Sequence, residues 1–329
     1  MNEIKTITNW IELEKMLETL SGNGQEMHID EKKFLSFLKS RVRGQDEILK
    51  DVAKLIKLQY ARKNRQQPVC NFLFLGPTGT GKTELAKAIA TYLFGDEKSM
   101  VRFDCSELTG EHSKDRLIGM PLGYVGAEMG GQLIRPVLQN PRRVILFDEI
   151  EKAYSGIFDL FLQLMGEGRL TEQGSGKTAD FSQSVIILTS NAQSEQMAKI
   201  KSEHTDYHDQ LNAMKGHLAD TRVFRPEILG RIDRLHIFDA LQGSVIAEIA
   251  LMKILSIGKT YGVDIEFVAP ELVIQTLQAN HRISRFGIRE LERILFDLFA
   301  PSFADAKEKK LKKIIFDSDA QGKVRMKAA

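Results

Sequence analysis

At 329 residues the chain is long enough for one large domain plus a smaller one, each with its own core. Hydrophobic residues make up 43% and charged residues 27%, the balance of a globular protein and not of a disordered or fibrous one. Lysine and arginine total 46 against 44 acidic residues, a net charge of +2, so no overall field draws the chain to nucleic acid or to an anionic membrane. No apolar run approaches the ~18 residues of a membrane span. The N-terminus carries Glu3, Glu12 and Glu14 and lacks the apolar segment of a signal peptide. Cys70 and Cys105 have no metal-ligand spacing and cannot build a disulfide framework, so a reducing cytoplasm is the expected compartment.

In chain order, Trp10, Leu13, Leu17 and Leu20 recur at helical spacing until Ser21-Gly22-Asn23-Gly24 breaks the pattern. Residues 1–37 therefore read as an N-terminal helical extension. Its apolar stripe either packs on the body of the protein or docks a partner. From 38 to 240 short apolar runs alternate with helical segments, with strands expected at 72–75, 101–103, 144–147, 185–188 and 235–238. That alternation predicts an α/β fold, a five-stranded parallel sheet sandwiched by helices. Residues 241–329 change character to a small, mainly helical subdomain. Helices are expected over 245–257, 271–278 and 288–299, with a strand at 263–267 and a terminal strand pair around Ile314 and Val324. The lysine run at 309–313 reads as a solvated face.

The first expected strand runs into Gly76-Pro77-Thr78-Gly79-Thr80-Gly81-Lys82-Thr83, and a helix follows. The glycines let the backbone curl so that successive N–H groups face phosphate oxygens. Lys82 is placed for the β- and γ-phosphates, the Thr83 hydroxyl for Mg²⁺, and the helix N-terminus adds positive charge. This is a nucleoside triphosphate site. A second apolar strand ends in Asp148-Glu149. Asp148 is placed to hold Mg²⁺ and Glu149 to deprotonate the attacking water. Asn191 closes the strand after that and can hold the same water.

Taken together, the phosphate loop, Asp148-Glu149 and Asn191 resemble an AAA+ ATPase. Arg116-Leu117-Ile118-Gly119, Gly123-Tyr124-Val125-Gly126, Phe224-Arg225-Pro226-Glu227 and Arg231-Ile232-Asp233 narrow the resemblance to the second ATPase module of the ClpB/ClpA class of protein unfoldases. The likeness runs from about Val42 to the C-terminus. It implies that Arg43, Gly44 and Gln45 frame the adenine of ATP, that Arg231 is an arginine finger serving a neighbouring subunit, and that Arg289 senses the nucleotide from the small subdomain. It also implies a hexameric ring and a polypeptide substrate gripped by Tyr124 and Val125 in a central pore. Tyr124 supports this independently, because the glycines around it supply no side chains for a core aromatic to pack against. The Gly-rich stretch 174–178 matches a second pore loop.

The chain also departs from that family. It has no second module, recruiting N-domain or coiled-coil insertion, so a separate adaptor is expected to supply substrate. No Ile-Gly-Phe or Ile-Gly-Leu tripeptide lies between Asn191 and Val223, so docking to a peptidase ring is not expected. Pro136 is expected to kink or end the helix after Gly131. Gly230 stands where the family usually has Asn. His204 and His208 lack a third ligand, and no metal site is expected there. Two other functions fit the nucleotide motifs: an AAA+ machine acting on nucleic acid or nucleoprotein, and a scaffold that uses ATP only to close a ring.

Overall fold

The computed structural model describes residues 29–124, 126–278, 288–318 and 324–329. The Trp10 helix and Val125 lie outside the described residues. Five parallel strands form the main sheet: β1 (Cys70–Leu75), β2 (Met100–Asp104), β3 (Val144–Asp148), β6 (Val185–Ser190) and β7 (Arg234–Ile237), in the order β2-β3-β6-β1-β7. Every residue of β1, β3 and β6 is buried, as a sheet covered on both faces requires.

Alternation along each strand feeds two separate cores. Phe72, Phe74, Leu146 and Ile187 face one side, where α1 (Glu31–Arg41), α2 (Asp46–Tyr60) and α3 (Lys82–Phe94) pack. Leu73, Leu75, Phe147 and Leu188 face the other. That side is covered by α4 (Ser113–Ile118), α5 (Ile134–Gln139), α6 (Ile157–Glu167), α7 (Ser194–Glu203), α8 (Tyr207–Asp220) and α9 (Pro226–Leu229). Each large side chain so buried contributes about 1.5–3 kcal/mol. The short antiparallel hairpin of β4 (Arg169–Thr171) and β5 (Thr178–Asp180) stands apart from the main sheet.

After β7 the chain builds a third core around Ile254, Leu295, Phe299, Phe303 and Phe316. It uses α10 (Ser244–Tyr261), α11 (Pro270–Gln278), α12 (Ile288–Glu308) and a three-stranded sheet, β10-β9-β8, of β8 (Asp264–Val268), β9 (Lys313–Ser318) and β10 (Val324–Ala328).

Two prolines behave differently from expectation. Pro136 does not break its helix, because it occupies the first turn of α5, where a backbone N–H has no helical acceptor to lose. Pro301 lies inside α12, which continues past the expected end at 299 to Glu308. A proline there costs about 3 kcal/mol. On either side of it, Phe299 and Phe303 each pack edge-on against Phe316, at 4.9 and 5.1 Å between ring centroids. Burying two such rings, at about 1.5–3 kcal/mol each, offsets the proline.

Candidate functional site

The phosphate loop joins the C-terminal end of β1 to α3. Its curl depends on Gly76, at φ 136°, where an added Cβ would sit 2.5 Å from the Phe238 carbonyl oxygen. Gly81, at φ 103°, then starts the helix. Thr80 is buried and its hydroxyl donates to the Pro77 carbonyl at 2.9 Å, while Pro77 and Thr78 are exposed at the crest. Gly79, at φ 80°, completes the turn.

Lys82 lies folded along this loop. Its ammonium donates to the carbonyl of Gly76 at 2.5 Å, to that of Pro77 at 2.8 Å and to Asn191 Oδ1 at 2.9 Å. Burial pushes its pKa down to about 8, against the pull of Asp148, Glu151 and Glu149. The Thr83 hydroxyl lies 3.5 Å from Asp148 Oδ2. Asp148 is buried and takes hydrogen bonds from the Thr189 hydroxyl and, at 2.7 Å, from Arg102.

Glu149 occupies the left-handed region at φ 55°, a conformation that costs a non-glycine residue about 1–3 kcal/mol and turns the chain sharply off the end of β3. Its N–H donates to the Thr189 hydroxyl at 3.2 Å. One carboxylate oxygen accepts from Asn191 Nδ2 at 3.2 Å and the other pairs with Lys152. Asn191 therefore bridges the lysine and the glutamate, and its own N–H donates to Glu151 at 3.2 Å.

A cleft of about 650 Å³ runs from this loop to the small subdomain, with Val42, Lys82 and Thr83 on one wall and Ile249, Met252 and Ile288 on the other. Gly44, at φ 74°, lets the backbone pass so close to α10 that an added Cβ would lie 2.7 Å from Val245. Arg43 lines the cleft, but its guanidinium faces Glu248 at 3.5 Å and the Lys39 carbonyl at 2.6 Å, so it links α1 to α10.

The structure thus gathers Lys82, Thr83, Asp148, Glu149 and Asn191 around the loop, with Arg43 and Gly44 at the cleft. It leaves two expected residues elsewhere. Arg231 sits beside Gly166 and its carbonyl accepts from Asn71, at the N-terminal end of β1, whereas the phosphate loop leaves the C-terminal end. A groove of about 860 Å³ opens at that same edge, lined by Asn71, Gly166 and Asp233. Tyr124 is 68% exposed on the loop between α4 and α5. Arg289 falls in the first turn of α12, and its side chain lies outside the described residues. His204 ends α7 while His208 begins α8, so the pair does not share a helix face. No cluster of three His, Cys, Asp or Glu suited to a metal occurs among the described residues.

Sequence reasoning passed over Arg102, Thr189 and Glu151, and grouped Gln45 with Arg43 and Gly44 at the adenine. The amide of Gln45 ties the phosphate loop to the end of the sheet, donating to the Thr80 carbonyl at 3.4 Å and to that of Asp239 at 3.0 Å. Thr189 is placed by strand pairing. It falls one position beyond the Phe147–Leu188 pair of β3 and β6, level with Asp148.

The profile of the AAA domain (Cdc48 subfamily) matches residues 67–235. The negative regulator of genetic competence ClpC/MecB of Bacillus subtilis (strain 168) is 42% identical over 222 residues, covering 65% of this chain and 27% of that protein. Chaperone protein ClpB 1 of Thermosynechococcus vestitus is 39% identical over 255 residues, covering 75% of this chain and 28% of that protein. The chloroplastic chaperone protein ClpC2 of Arabidopsis thaliana is 36% identical over 304 residues, covering 87% of this chain and 32% of that protein. The chain spans about a quarter to a third of the length of these curated relatives. With its five-stranded parallel sheet and phosphate loop, the chain belongs to the AAA domain family, Cdc48 subfamily, as an ATPase module similar to those of the Clp chaperones.

Proposed function

We propose that this chain is the motor module of an ATP-driven protein remodeller, in which a homo-oligomeric ring, a hexamer, moves polypeptide through a central pore past Tyr124 and Val125. The observation that carries the reading is the exposed Tyr124, on a glycine-flanked loop of a module that gathers Lys82, Thr83, Asp148, Glu149 and Asn191 around one phosphate loop. A bare aromatic grips a chain through dispersion and burial without reading its sequence. The relatives named as chaperones support protein as the substrate class.

In this reading the loop N–H groups and Lys82 hold the triphosphate, with Lys82 exchanging the Gly76 and Pro77 carbonyls for phosphate oxygens. Thr83 and Asp148 offer the hard oxygen donors that Mg²⁺ takes alongside phosphate and water oxygens, and the ion would neutralise phosphate charge there. Glu149 accepts the proton of the attacking water, and Asn191, in contact with both Glu149 and Lys82, orients it. Arg231 lies across the sheet from the loop of its own chain, the placement a finger acting on a neighbour's phosphate needs. Arg289, at the start of α12, reads nucleotide state into the small subdomain. Residues 1–37, 38–240 and 241–329 act as extension, ATPase body and lid, and a separate adaptor recruits substrate. The two free, buried cysteines suit a reducing cytoplasm.

Sedimentation of Glu149→Gln protein with ATP tests the ring. A hexamer that disappears on Lys82→Ala is expected, whereas a monomer would count against self-assembly. Tyr124→Ala is expected to bind a fluorescent ATP analogue normally yet lose stimulation of its ATPase by an unfolded protein such as casein. Stimulation by DNA that falls with added salt would favour action on nucleic acid instead.

A further inference from the structure

We propose that Glu172 is a positioning residue that clamps the Tyr124 loop to the β4–β5 hairpin, so that the two loops move as one gripping unit. This rests on the pore reading above. The Tyr124 loop is closed at its neck by two backbone bonds, Gln132 N–H to the Arg116 carbonyl and Leu133 N–H to the Leu117 carbonyl, both 3.0 Å. Beyond that neck the loop's described residues form no apolar core of their own. Leu122, Tyr124 and Met129 are 78%, 68% and 73% exposed. Something else must hold its shape.

The Glu172 carboxylate does so from the hairpin. Its side chain is 5% exposed. One oxygen accepts from the Gly131 N–H at 2.9 Å and lies 3.5 Å from Arg135 Nε, and the other accepts from the Ser175 hydroxyl. Gly131 and Arg135 belong to the far stem of the Tyr124 loop, whereas Ser175 belongs to the hairpin turn. These hydrogen bonds hold the carboxyl below the usual carboxylate range, with the Ser175 bond the largest cause, so it stays charged at neutral pH. The backbone reinforces the joint, since Gln173 N–H donates to the Ile118 carbonyl at 3.0 Å on the near stem. Gly174 then packs between both stems. A Cβ there would sit 3.0 Å from the Ala127 carbonyl oxygen and 3.1 Å from that of Met120, which flank Tyr124 in sequence. Gly131 is packed as closely on the near stem, since an added Cβ there would lie 2.5 Å from the Leu117 carbonyl oxygen. A buried carboxylate with three donors, drawn from two loops, is a hinge pin and not a surface ion pair.

Hydrogen exchange on the purified full chain tests the clamp. Glu172→Ala is expected to speed exchange about tenfold in both 119–131 and 171–178, with 76–83 unchanged. Glu172→Gln, which keeps the volume and one acceptor, should restore part of the protection. Faster exchange confined to 171–178 would overturn the proposal. If Glu172→Ala lost protection throughout the sheet, the same two segments in Glu172→Gln would decide. Exchange needs no polypeptide substrate, so the pore reading stands or falls separately: a Tyr124→Ala protein with normal casein stimulation would sink that reading and leave the clamp untouched.

Discussion

Lys82 shows how one buried charge couples ligand binding to pH. Burial brings its pKa down to about 8, so the folded chain binds fewer protons there than the unfolded one. The resulting cost to stability is fully present below pH 8 and fades as pH rises toward the unfolded value of 10.5. A bound triphosphate reverses the balance by favouring the ammonium, which makes ATP binding take up a proton above pH 8. ATP affinity is therefore expected to fall as pH rises from about 8, by up to about tenfold per unit, in titrations with a fluorescent ATP analogue. A flat profile across that range would mean that Lys82 is charged throughout. Thr189 makes a second residue-scale prediction. Its hydroxyl donates to Asp148 and accepts from the Glu149 N–H, so Thr189→Val leaves Asp148 one donor short and the Glu149 N–H without its acceptor. A loss of about 1–3 kcal/mol in unfolding free energy is expected, together with reduced turnover. Lys82, Asp148 and Glu149 were legible because loop and strand-end motifs are local in sequence. Thr189 and Arg102 were not, because their roles arise from strand pairing across the sheet.

Among elements, the β4–β5 hairpin depends on the exit from α6. Gly168 caps that helix at φ 66°, and a Cβ there would collide with the Gln66 carbonyl oxygen. Gly168→Ala therefore combines a left-handed strain with a backbone clash, and a loss of at least about 1–3 kcal/mol is expected in urea melts. Gly95→Ala makes the control. It shares the positive φ, at 83°, but has open space around its Cβ, so the smaller strain cost alone should appear. The two prolines carry a related lesson. The chemistry of Pro136 and Pro301 is the same, yet one sits harmlessly in a first turn and the other is held inside a helix by Phe299 and Phe303. Residue type announces a possible break, and the position within the helix and the packing behind it determine whether a break occurs.

For the whole molecule, the placement of Arg231 sets the sharpest test. It lies at the opposite end of β1 from the phosphate loop, so the finger that the resemblance implies would have to serve a neighbouring chain's loop. Arg231→Ala and Glu149→Gln proteins are each expected to be inactive alone. Mixed in equal amounts, they should recover about a quarter of the parental ATPase, because an intact Glu149 then meets an intact Arg231 from a neighbour at one site in four. No recovery on mixing would place the arginine's role within its own subunit, or nowhere in catalysis.

The five strands of the main sheet, the phosphate loop and the paired carboxylates could all be read from the chain alone, since each rests on spacing between near neighbours. So could the alternation that sends Phe72 and Leu73 to opposite faces of the sheet. The strand order β2-β3-β6-β1-β7, the turning of Arg43 toward Glu248 and the burial of Glu172 between two loops required the tertiary structure. A side chain's partner is fixed by whatever segment packs over it, and in these cases that segment lies on another strand, helix or loop that local spacing does not specify.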